Sequence, residues 1–223
     1  LTSEGEASEP AWSPDGRHIY YYSYRGGVYA LWRINAGGGP PEPVTLGTGN
    51  ESHPSISEDG RLLAHGTESR HRQLVLLDRE WGKEEALPGF EWSMPSIAPD
   101  GGKIVFVLVR SGSDKNLWLQ TMDRGKPSGS PQRLTELEGV ASHPAFSPDG
   151  KWIAFYRILL DKRDIWIVSA SGGHRTQFTE DGMYNVHPAW SPDGSTIAFA
   201  SRRSGSSQIW TAPVKDGKPA GTA

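Results

Sequence analysis

Three histidines of this 223-residue chain occupy the same place in a recurring stretch. His53, His143 and His187 each stand immediately before a proline that opens a short apolar segment, and Glu9 and Met94 hold that place in two further copies. Imidazole is a good ligand for Zn²⁺, Cu²⁺, Ni²⁺ or Fe²⁺, and three imidazoles are a known zinc set. If the copies surround an axis, their equivalent positions fall on a ring. One reading is therefore a metal site made by His53, His143 and His187, with Glu9 as fourth ligand or general base, in a metalloprotein that extends to a metalloenzyme. Such a site needs groups that orient each imidazole, and Ser52 and Ser142 directly precede two of them. The plainer reading makes His-Pro part of the repeat, each ring capping a strand start or touching a neighbouring unit. A third keeps the ring without metal: at mildly acidic pH the imidazoles become cationic and hold an anionic ligand or a partner's carboxylate.

Other chemistry is hard to find. There is no Gly-x-Ser-x-Gly elbow, no phosphate-binding Gly-x-x-x-x-Gly-Lys-Ser/Thr loop and no His-Glu-x-x-His. Gly37-Gly38-Gly39-Pro40 reads as a turn between strands, with no helix behind it to aim amides at a phosphate. Cysteine is absent, which excludes a disulfide scaffold, Cys-based zinc sites and thiol catalysis. His18, His65, His71 and His174 read as strand or turn residues with packing or surface roles. Arg70-His71-Arg72 and Arg202-Arg203 read as solvated loops, or more sharply as contacts for a docking partner.

What must position the histidines is a repeat. Pro10-Ala11-Trp12-Ser13-Pro14-Asp15-Gly16 returns at Pro54–Gly60, Pro95–Gly101, Pro144–Gly150 and Pro188–Gly194, a step of roughly 45 residues. After each Asp-Gly comes an alternating apolar run such as Ile153-Ala154-Phe155-Tyr156. A shorter run follows, usually with Trp: Leu31-Trp32, Leu74-Val75, Leu117-Trp118, Ile165-Trp166 and Ile209-Trp210. Val44-Thr45, Leu134-Thr135 and Phe178-Thr179 close three units, and Leu1-Thr2 looks like the same closing pair. Runs of β-branched and aromatic residues bounded by turn residues are strands. In Ser-Pro-Asp-Gly, proline presets φ, Asp suits the next position and Gly takes the positive φ that closes a hairpin. Because proline donates no ladder hydrogen bond, the first strand of each unit is placed on an edge, facing a central channel. Four antiparallel strands repeated radially make a β-propeller, and the third-strand Trp residues then pack between blades.

The pattern Pro-Ala-Trp-Ser-Pro-Asp-Gly-x-x-Ile-x-Phe, followed by Ile-Trp and Leu-Thr, resembles the TolB-type propeller repeat. The likeness covers all five units. It is strongest at Pro144–Thr179 and Pro188–Trp210 and weakest in the second unit, where Glu58 replaces the turn proline and Val75 the Trp. Relatives of this type serve as periplasmic interaction modules, as gates on serine peptidases, and as parts of regulators or hydrolases. The resemblance therefore implies a fold strongly and a function weakly. It also implies a periplasmic or extracytoplasmic location. TolB-type rings commonly have six or more blades. Five units would close a ring if Leu1-Thr2 supplied the outer strand of the last unit, whose Gly-, Lys- and Pro-rich tail offers none. The alternative is part of a larger ring with open edges.

The expectation is thus an all-β, five-bladed propeller of four-stranded antiparallel blades. It is a single domain over 1–223, with repeats starting near 8, 52, 93, 142 and 186. Hydrophobic residues make up 35% and charged residues 22% of the chain, its net charge is −3, and Gly and Pro number 27 and 17. That composition fits many short strands and turns and gives no sign of a nucleic-acid partner or of membrane insertion. The leading functional expectation is a non-enzymatic binding module that presents a channel mouth and loops to a protein, peptide or small ligand. A closed ring of this kind would be a monomer.

Overall fold

The structure is a computed structural model that describes residues 6–25, 27–45, 50–68, 72–78, 83–87, 91–111, 114–205 and 208–222. Among the described residues there is no helix. The strands fall into five consecutive groups of four. The first holds β1 (Glu6–Trp12), β2 (His18–Arg25), β3 (Val28–Asn35) and β4 (Glu42–Pro43). The second holds β5 (Asn50–Ile56), β6 (Leu62–Glu68), β7 (Arg72–Asp78) and β8 (Lys83–Leu87). The third holds β9 (Glu91–Ile97), β10 (Lys103–Ser111), β11 (Asp114–Asp123) and β12 (Lys126–Arg133). The fourth holds β13 (Val140–Phe146), β14 (Trp152–Leu159), β15 (Lys162–Ser169) and β16 (Arg175–Gln177). The fifth holds β17 (Val186–Trp190), β18 (Thr196–Ser201), β19 (Gln208–Lys215) and β20 (Lys218–Pro219).

Within each group the strands pair in chain order and antiparallel. A single parallel pairing, Lys115 with Val140, joins the third and fourth groups into one eight-stranded sheet.

The turns explain why the same sequence folds the same way each time. Ser147 Oγ donates to Asp149 Oδ1 at 2.6 Å and accepts the Trp152 N–H at 2.9 Å, while Asp149 Oδ1 also accepts the Lys151 N–H at 3.1 Å. Ser13 with Asp15, Ser57 with Asp59 and Ser191 with Asp193 repeat the Ser–Asp bond at 2.6 Å. A carboxylate that accepts such bonds is favoured in its charged form. Hydrogen bonds from Ser191 and from Ser195 accordingly lower the Asp193 pKa to about 2. Gly150 closes its turn at φ 68°, where a side chain would be strained. The Asp residues serve the hairpins.

The closing pairs have an equally specific job. Thr45, Thr135 and Thr179 each use Oγ1 to accept the N–H that opens the third-strand apolar run, from Leu31, Leu117 and Ile165 at 3.1, 3.0 and 2.9 Å. Each hydroxyl then donates to a buried polar side chain: Glu51, Asn116 or Asp164. This ties the outer strand back onto the third as the chain leaves for the next group. The fifth group differs from expectation. The tail does supply an outer strand, because Asp216-Gly217 turns the chain so that β20 pairs with Val214 and Lys215. A Cβ on Gly217 would collide with the Trp152 ring, so only glycine fits there. Leu1-Thr2, expected to fill that edge, lies outside the described residues.

The core is a series of layers between successive sheets. Leu63 and Leu77 meet Tyr20 and Leu31 between the first and second; Leu62 and Leu76 meet Phe106 and Leu108 between the second and third. Val105 and Leu117 meet Phe155 and Ile153 at the next junction, and Ile165 and Ile167 meet Phe199 and Ile197 at the last. Central strands are thus buried on both faces, as the unbroken buried stretch Ile153–Tyr156 shows. A fully buried Phe such as Phe106, Phe155 or Phe199 contributes about 2–3 kcal/mol. Trp118, Trp166 and Trp210 pack against these junction layers. Neighbouring first strands are also stitched together: Ser55 Oγ accepts the Ile97 N–H at 3.0 Å, and Ser96 Oγ accepts the Phe146 N–H at 3.2 Å.

Candidate functional site

The backbone of each first strand is irregular at the His-Pro position. In the second, fourth and fifth groups the register with the second strand slips between Ser52 and Ser55, between Ser142 and Ala145, and between Val186 and Ala189. His53, Met94, His143 and His187 all adopt left-handed backbone, with φ of 54°, 57°, 48° and 55°. Such conformations are uncommon for residues other than glycine, and four at one repeat position mark a built feature. The following proline has no N–H to lose from the ladder, and the bulge turns the preceding side chain out of the alternating pattern.

The result brings three of the expected residues together. The His143 and His187 rings meet edge to face with centroids 4.4 Å apart, and His53 meets His143 the same way at 5.3 Å. Tyr156, on β14, stacks on His143 at 5.3 Å and meets His187 edge-on at 5.6 Å. Ser52 Oγ lies 2.9 Å from His53 Nδ1, and Ser142 Oγ lies 3.0 Å from His143 Nδ1. Ser142 Oγ also donates to Met94 Sδ at 3.2 Å. With that proton committed to sulfur, both contacts of the serine are satisfied when His143 carries its proton on Nδ1 and donates it to Oγ. The two serines thus orient imidazoles, and Met94 belongs to the cluster as the repeat position requires. Glu9 lies on β1, but its side chain lies outside the described residues.

The rings pack against one another. Among the described residues no group of three or more His, Asp or Glu side chains is disposed to hold a metal ion. His53 and His143 are half-buried and His187 is exposed, so the cluster opens toward solvent from the fifth group. Tyr156 was not among the residues singled out in the sequence. Its signal was its register: it pairs directly across from Ser142, next to His143. His65 proves to be a core residue, 1% exposed, at the position that holds Phe106, Phe155 and Phe199 in other sheets. Burial lowers its pKa to about 4.

Comparison with known proteins places this geometry in a family. The TolB beta propeller domain matches residues 1–127 and 95–222, nearly the whole chain. The chain belongs to the TolB β-propeller domain family. An uncharacterised protein of Agrobacterium fabrum, Atu1656, is 31% identical over 181 residues, covering 77% of this chain and 57% of its own length. The Tol-Pal system protein TolB of Francisella tularensis is 27% identical over 157 residues, which is 69% of this chain and 35% of that protein. The crystal structure of TolB from Acinetobacter baumannii superposes with a TM-score of 0.80 at 23% identity, covering 96% of this chain and 53% of that one. The TolB-like chain therefore has an all-β, propeller-like fold and spans little more than half the length of these relatives, or less.

Proposed function

We propose that this TolB-like chain is a non-enzymatic binding module. Its five four-stranded groups act as blades around a channel, and a protein or peptide segment is taken at the mouth that carries His53, Met94, His143 and His187. The observation that carries this reading is the convergence of three imidazoles from three sheets, each on strained backbone at one repeat position. Strain of that kind is retained where a side chain must be presented in a fixed direction. Imidazoles that reach solvent offer both hydrogen-bond donors and acceptors to a partner's backbone and side chains. Family membership supports an extracytoplasmic, periplasmic setting and a protein partner. A closed ring would bury Trp12 and Ile209, now 61% and 74% exposed, and would run as a monomer.

A peptide array probed with wild-type protein and with a His143→Ala/His187→Ala variant tests this. Peptides held by the wild type should lose at least about tenfold in affinity while circular dichroism stays unchanged. Equal binding by both proteins, or no peptide bound by either, would remove the reading.

One observation favours a second reading. The Ser52 and Ser142 hydroxyls beside Nδ1 of His53 and His143 are the kind of partner that orients imidazole ligands, and a three-imidazole set suits a transition metal such as Zn²⁺, Cu²⁺, Ni²⁺ or Fe²⁺. Mass-spectrometric metal content after incubation with each ion decides it. Near-stoichiometric metal lost in His143→Ala supports a metal site, and metal-free protein rejects it.

A further inference from the structure

The loop that leads into β17 carries a second group of side chains close to the histidine cluster. Tyr184 sits three residues before His187, again in left-handed backbone at φ 60°. Three residues of chain reach no more than about 11 Å. Two guanidinium groups lie against the Tyr184 ring: Arg163 at 4.0 Å and Arg202 at 4.3 Å from its centroid. The backbone fixes all three residues. The Arg163 carbonyl accepts the Asn185 N–H at 2.9 Å, and the Met183 carbonyl accepts the Arg202 N–H at 3.0 Å.

Two carboxylates of this corner, Asp164 and Asp181, are committed elsewhere. Asp164 accepts from Thr179, from the Gly182 N–H and from Asn185, all within 3.2 Å. Asp181 pairs with Arg203 at 3.0 Å, and that third arginine lies over Phe199 and Trp210. Asp161 and Glu180 are exposed, and among the described residues neither forms an ion pair with Arg163 or Arg202. Neither of those two guanidiniums has a hydrogen-bond or carboxylate partner among the described residues. Stacking on tyrosine covers a guanidinium's face and leaves its fork of N–H donors at the edge, a geometry matched to a carboxylate.

Spacing then narrows the ligand. Both guanidinium carbons lie close to one ring, so they are within about 8 Å of each other. Side chains on the same side of an extended peptide recur at every second residue, about 6.5–7 Å apart. We infer that Arg163 and Arg202, held on Tyr184, read two carboxylates at alternate positions of an extended acidic segment whose continuation reaches His187 and His143. This rests on the binding-module reading and assigns that module an acidic peptide partner.

The test uses fluorescence anisotropy with a labelled peptide of alternating Glu and Gly, its Gln-for-Glu counterpart, and inorganic polyphosphate as competitor. The Glu peptide should bind at least about tenfold more tightly than the Gln peptide, with affinity falling as salt rises. Arg163→Gln and Arg202→Gln should each weaken it about five- to tenfold, whereas Arg175→Gln, at an exposed residue of the outer strand β16, should leave it unchanged. Equal binding of the Glu and Gln peptides by wild-type protein overturns the inference without relying on any variant. So does full retention of binding in Arg163→Gln and Arg202→Gln. Equally effective competition by polyphosphate would show charge without carboxylate spacing and also overturn it. If array peptides still need His143 and His187 but show no preference for acid, the binding module stands and only this inference fails.

Discussion

Trp190 and Trp12 end their first strands at the same repeat position, yet their surroundings differ. Trp190 is half-buried at the junction of the fourth and fifth sheets, where its Nε1 donates to the Ala145 carbonyl at 3.1 Å. Trp12 ends β1 and is 61% exposed. The third strands show the same contrast: Ile165 is fully buried with its N–H on Thr179, while Ile209 is 74% exposed. Local sequence makes the same strand and turn in both places, and burial follows from whether a neighbouring sheet covers it. The repeat is an instruction for a junction, and each junction needs two sheets.

The largest effect should come from breaking the interior copy. Trp190→Ala removes junction packing and a hydrogen bond and should cost about 2–4 kcal/mol by urea denaturation. Trp12→Ala should cost less than about 1 kcal/mol. An equal loss at Trp12 would show that its face is covered in solution, as ring closure demands. Deleting residues 1–5, which leaves β1 whole, sharpens the same point: a lowered melting temperature is the result expected of an outer-strand role for Leu1-Thr2 beside β20, and an unchanged one removes that role.

His65 offers a second contrast, with Phe at the equivalent places. Its folded pKa near 4 lies below the usual 6.5, so the unfolded chain binds the extra proton first. Stability that is full above about pH 6.5 is therefore lost as pH falls toward 4, by up to about 3 kcal/mol. His65→Phe should flatten that part of the profile measured by chemical denaturation at successive pH values. A profile identical to wild type would show that His65 is not the group responsible.

The smallest effect concerns the turns. The third has Ala98 where the other four have serine, so it lacks the Ser–Asp bond. Ser147→Ala should cost about 1 kcal/mol and Ala98→Ser should recover about half that in the third sheet. No difference between the two would mean that the bond contributes nothing net.

Much of this was legible in the sequence. The repeat marked the strands, the Asp-Gly turns and the shared place of His53, His143 and His187, because each depends on nearby residues. The left-handed backbone that aims those rings was not legible, since the residue before a proline is ordinarily extended. Nor was the contact between His53 and His143, which spans the third sheet and depends on how close the first strands come. The outer strand β20 was missed because two paired residues after a turn leave almost no periodic signal. Tyr184 between two arginines was missed for a similar reason. Arg163, Tyr184 and Arg202 are far apart in sequence and meet only where the fourth and fifth sheets do.

Binding at the histidine cluster is tested by following the histidine ring signals with carbon–proton correlation spectroscopy while an array-selected peptide is added. Binding at the cluster gives saturable shifts at His143 and His187, with His174 in its exposed turn unmoved. Shifts at His174 with the cluster unchanged would place binding elsewhere on the molecule and contradict binding at the cluster.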